Sequence, residues 1–87
     1  MSVIDAMRAS LATLDPVTVE IQDDSAKHAG HAGAKSGGGH FRLTIVSLRF
    51  AGCRTMERHR LVYDALGPLM KREIHALSIS AKTPDEH

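Results

Sequence analysis

The chain has 87 residues, 43% of them hydrophobic and 24% charged, with a formal net charge of +1. That length supports one core and not two, so a single domain over residues 1–87 is expected, and the composition excludes the low-hydrophobicity, high-charge regime of disordered chains. One cysteine, Cys53, rules out an internal disulfide and a cysteine-only metal site.

In chain order, Ser2 is placed to cap a helix whose apolar residues Val3, Met7, Leu11 and Leu14 recur every three to four positions, with Asp5 suited to its first turn. Asp15-Pro16 stops it. Val17, Val19 and Ile21 then alternate with Thr18, Glu20 and Gln22, the pattern of a half-buried strand, and Phe41, Leu43 and Ile45 repeat it around Arg42 and Thr44. Between the two strands, residues 24–39 form a glycine-rich loop with five glycines, far longer than a hairpin needs. Little intrinsic order is expected of it, which suits a segment that closes over a cofactor.

Beyond Phe50-Ala51-Gly52 the period changes. Met56, His59, Val62, Tyr63, Leu66 and Leu69 fall on one side of a helix that begins near Thr55 and is interrupted or ended at Gly67-Pro68. A last strand, Ala76 to Ala81, alternates Leu77 and Ile79 with Ser78 and Ser80, and Thr83-Pro84 closes the ordered part, leaving 84–87 as a tail. The order helix, strand, strand, helix, strand predicts an α+β fold, a three-stranded mixed sheet with helices packed on one face, in which the second helix is the crossover that allows a parallel pairing.

Charge is unevenly spread. In residues 1–25 Arg8 stands against five carboxylates, whereas residues 42–72 carry seven cations against Glu57 and Asp64. The basic stretch is either a solvated helix face or a patch for nucleic acid or an acidic partner. No phosphate-binding loop, dinucleotide fingerprint, nucleophile elbow or paired-cysteine motif is present, so self-sufficient catalysis is not expected. The adjacent pair Asp23-Asp24 would point to opposite faces of a strand, poor geometry for joint acid and base work. Gly30-His31-Ala32-Gly33 matches the GxxG clamp of KH domains only superficially, because it lies between two predicted strands and not between helices.

Histidines carry the strongest chemical signal. His28 and His31 share the long loop at HxxH spacing, and His75 opens the run Ile74-His75-Ala76-Leu77-Ser78-Ile79, where a fold would hold it with one ring nitrogen accessible. Two imidazoles half-complete a soft-metal or iron-sulfur site, and the other half would come from a partner. His40, at a strand start, and His59, on the packed side of a helix, read as structural residues.

Asp24-Ser25, His28, His40-Phe41, Val46-Ser47, Phe50 with Gly52, Arg58-His59-Arg60 followed by Leu61-Val62-Tyr63, Leu66 and His75-Ala76-Leu77 together resemble the signature of the BolA family, from the first helix to Thr83-Pro84. The resemblance implies a class II KH-like fold without the KH clamp. It also implies a monothiol glutaredoxin partner and a [2Fe-2S] cluster held between the two chains by the glutaredoxin cysteine, glutathione and histidines of this chain. The family's C-terminal histidine ligand corresponds to His75, and its loop ligand to His28, with His31 a substitute. No cofactor is expected tightly bound to the isolated chain. The resemblance implies a second role, DNA-binding transcriptional regulation, for which Arg54, Arg58, Arg60, Lys71 and Arg72 would meet phosphates. No apolar run approaches the roughly 18 residues of a membrane span, and the N-terminus lacks a basic-then-apolar leader, so no membrane contact and a cytoplasmic location are expected.

Overall fold

A computed structural model describes residues 2–24 and 39–86. Helix α1 (Val3–Leu11) starts at Ser2 with a reciprocal capping box: the Ser2 hydroxyl accepts from the Asp5 N–H at 3.1 Å, and the Asp5 carboxylate accepts from the Ser2 N–H. A 3-10 turn, Ala12–Leu14, follows, and Asp15 ends it in the left-handed region at φ 47°. Pro16 explains the stop, because it disfavours helical backbone at the residue before it.

Strands β1 (Thr18–Asp23) and β2 (Gly39–Val46) pair antiparallel, with Val19 opposite Ile45 and Ile21 opposite Leu43. A 3-10 turn at Leu48–Phe50 leads to α2 (Thr55–Leu66), which ends where Gly67 takes φ 55°, a value that favours glycine. Gly67-Pro68 does more than interrupt: Pro68 opens a further single-turn helix, α3 (Leu69–Arg72), not anticipated as an element of its own. Strand β3 (Ile74–Lys82) then runs parallel to β2, giving the sheet order β1-β2-β3. Three helices and a three-stranded mixed sheet thus make the expected α+β fold.

The core lies between the helices and one sheet face. Met7, Leu11 and Leu14 from the first helical segment and Val62 and Leu66 from α2 meet Phe41, Leu43 and Ile45, the inward residues of β2, with Phe50 and Ile74 closing the ends. Burying each large side chain contributes roughly 1.5–3 kcal/mol. The expected stripe on α2 is narrower than its periodicity suggested. Val62 and Leu66 are buried, but Met56, in the first turn of α2, is 75% and Tyr63 41% exposed.

The chain is also ordered past Thr83-Pro84. Pro84–Glu86 form a 3-10 turn rather than the start of a tail, because the Glu86 carboxylate accepts from both ends of the Arg58 guanidinium and from the Thr83 N–H.

Candidate metal-binding site

Alternation along β2 turns Phe41, Leu43 and Ile45 to the core and His40, Arg42 and Thr44 to the opposite face of the sheet. Strand β3 would follow the same alternation but for one shift of register. Gly39 pairs with Ile74, whereas the next residue, His40, pairs with Ala76, so His75 has no partner opposite. Two residues of β3 there oppose one of β2, the defining feature of a β-bulge. Ile74 can therefore be buried and Leu77 packed against the core while His75 and Ala76 between them are both exposed. Strict alternation would either have turned Leu77 outward or have turned Ile74 outward and His75 inward.

The bulge brings His75 beside His40. Their ring centres lie 5.1 Å apart, with the planes tilted by 49°. From sequence His40 reads as a structural histidine, and its closeness to His75 is not visible there, since the two are far apart in the chain. A partial signal exists: two strands that each open with a histidine can bring those histidines together if they pair in parallel from the same sheet end.

His28 and His31 lie outside the described residues, but both points where their segment joins the sheet are fixed. The Asp24 N–H donates to the His40 carbonyl at 2.7 Å, and the Gly39 N–H donates to the Glu73 carbonyl at 2.8 Å, two residues before His75. Arg42 and Asp24 form an ion pair at 3.0 Å, with the Asp24 side chain largely buried. The segment that carries His28 thus leaves and re-enters the sheet at the end that displays His75 and His40.

Cys53 lies beyond the opposite end of β2, its thiol 3.8 Å from the Arg49 carbonyl. Among the described residues no group of three or more His, Cys, Asp or Glu side chains could hold a metal ion.

The candidate phosphate-binding cations divide into two kinds. Arg54, Arg60, Lys71 and Arg72 are exposed. Arg58 is engaged: its Nε donates to the Cys53 carbonyl at 2.9 Å, its Nη1 to the Ala81 carbonyl at 3.1 Å, and its Nη2 to Glu86 at 2.9 Å. The hydrogen bonds from Arg58, helped by the Thr83 N–H, hold the Glu86 carboxyl down at about 2, and the same pairing raises Arg58 above its ordinary value. The first arginine of the Arg58-His59-Arg60 motif therefore ties α2 to β3 and to the C-terminal turn.

Comparison with known proteins agrees with this architecture. Residues 11–86 match the family model for BolA-like proteins. The chain is 50% identical over 78 residues to SufE-like protein 1, chloroplastic/mitochondrial, of Arabidopsis thaliana, and 44% identical over 80 residues to BolA-like protein 1 of Mus musculus. These matches take in 84% and 91% of this chain but 21% and 56% of the relatives' own lengths. The solved structure of BolA1 from Arabidopsis thaliana superposes with a TM-score of 0.84 at 39% identity, over 100% of this chain and 98% of that one. The match to the family model over nearly the whole chain, the identity to these relatives and the shared fold have one reading: the chain belongs to the BolA-like family.

Proposed function

We propose that this chain is a non-enzymatic, cytoplasmic partner of a monothiol glutaredoxin, and that His75 and His28 supply imidazole ligands to a [2Fe-2S] cluster shared with the glutaredoxin cysteine and glutathione. His31 stands in when His28 is lost. The observation that carries this reading is the β3 bulge, which exposes His75 at the sheet end where the His28-bearing segment is anchored on both sides. The donor set fits. Imidazole is an accepted ligand of a [2Fe-2S] iron, and the thiol of this chain is at the other end of the sheet, so thiolate ligands must come from another molecule. Imidazole in place of thiolate raises the reduction potential, which suits cluster trafficking or iron and redox sensing.

Anaerobic reconstitution with a monothiol glutaredoxin and glutathione, followed by visible circular dichroism, tests the reading. A spectrum distinct from that of the glutaredoxin homodimer and absent with His75→Ala is expected. An unchanged homodimer spectrum would contradict it.

Duplex DNA is the second reading, favoured by the exposure of Arg54, Arg60, Lys71 and Arg72 on α2, its N-cap and α3. Binding through these side chains would fall steeply with salt as counterions are released. Because Arg58 is held by Glu86, replacing it should lower stability, while replacing Arg60 should lower affinity. Absence of duplex binding at near-physiological salt would retire this reading.

A further inference from the structure

We propose that His40 and His75 form by themselves a two-imidazole site for a borderline divalent cation such as zinc or cobalt(II). The site requires neither His28 nor a partner, and it can stand or fall separately from cluster sharing. Zinc binds histidine nitrogen at about 2.0–2.1 Å, and two imidazoles on one tetrahedral ion have ring centres about 5 Å apart. The observed separation is 5.1 Å.

The surroundings suit a cation. Both side chains project from hydrogen-bonded strands of one sheet, which holds them closer to the bound geometry than a loop pair would be. Arg42, next on that face of β2, would repel an ion, but its guanidinium is paired with Asp24 at 3.0 Å. On β3 the exposed neighbours are Ala76 and Ser78, small and neutral, leaving room for the water that would complete coordination. The bulge also gains a function beyond exposing one histidine: it sets two imidazoles side by side.

Cobalt(II) titration of the full chain, read by visible absorption, tests the proposal. Wild type should show d–d bands from one ion without the sulfur charge-transfer band that Cys53 ligation would add. His40→Asn and His75→Asn should each weaken binding at least about tenfold, while His28→Ala/His31→Ala should keep it. Wild-type affinity in His40→Asn, or loss of binding in the loop double variant, would overturn the site. If a strand variant fails to fold, the wild type decides: zinc should shift the imidazole resonances of His40 and His75 together. Shifts confined to other histidines would overturn the proposal.

Discussion

Ser47 is fully buried, and its hydroxyl is used twice, donating to the Leu14 carbonyl at 2.5 Å and accepting from the Arg49 N–H at 3.0 Å. It fastens the end of the first helical segment to the end of β2. Ser47→Ala leaves that buried carbonyl without its hydroxyl donor, and a loss of about 1–3 kcal/mol in denaturant unfolding is expected. Glu86 acts at the opposite end of the chain. Its folded pKa of about 2 lies below its ordinary 4.5, so its contribution is fully present above the ordinary value and is lost as pH falls through about 2. The Thr83 amide resonance should therefore titrate with a midpoint near 2 in wild type and lose that titration in Glu86→Gln. A midpoint at the ordinary carboxylate value would show that the contact with Arg58 does not form in solution. The Arg58-His59-Arg60 motif was legible as a motif, but not the commitment of Arg58, since its partners are the carbonyls of Cys53 and Ala81 and a carboxylate near the C-terminus.

At the scale of elements, local signals were read well where local physics decides. The Ser2 cap and Asp5 form the capping box, and Ser2→Ala should cost about 1 kcal/mol, measurable as a lower thermal midpoint. The alternations of β1 and β2 were visible because one face of each meets the core. Where tertiary pairing decides, no single segment carries the signal. The bulge at His75 is a property of two strands, and nothing within Ile74-His75-Ala76-Leu77 announces that two consecutive residues face outward. For the same reason His40 was assigned a structural role, although its neighbour is His75. The ordering of residues 84–86 was missed because it depends on Arg58, far upstream. Period alone puts Met56 in an apolar stripe, but period does not show which turns of a helix meet the core.

For the molecule as a whole, the core lies on one face of a thin sheet. The sheet end that carries His75 and His40 is also the anchor of the segment containing His28, and it lies opposite Cys53 and the Arg58 tie. This separation predicts different outcomes for two ligand substitutions. Cluster absorption of the complex with glutaredoxin should survive His28→Ala better than His75→Ala, because His31 lies three residues from His28 in the same segment. Equal losses would remove the role given to His31. The proposed cluster site requires that an imidazole of this chain bind cluster iron. Pulsed electron paramagnetic resonance of the reduced complex, assembled from a chain labelled with nitrogen-15 histidine and an unlabelled glutaredoxin, tests it most directly. Nitrogen-15 hyperfine couplings that are reduced in His75→Ala are expected; a spectrum free of nitrogen-15 coupling would show that no imidazole of this chain binds the iron.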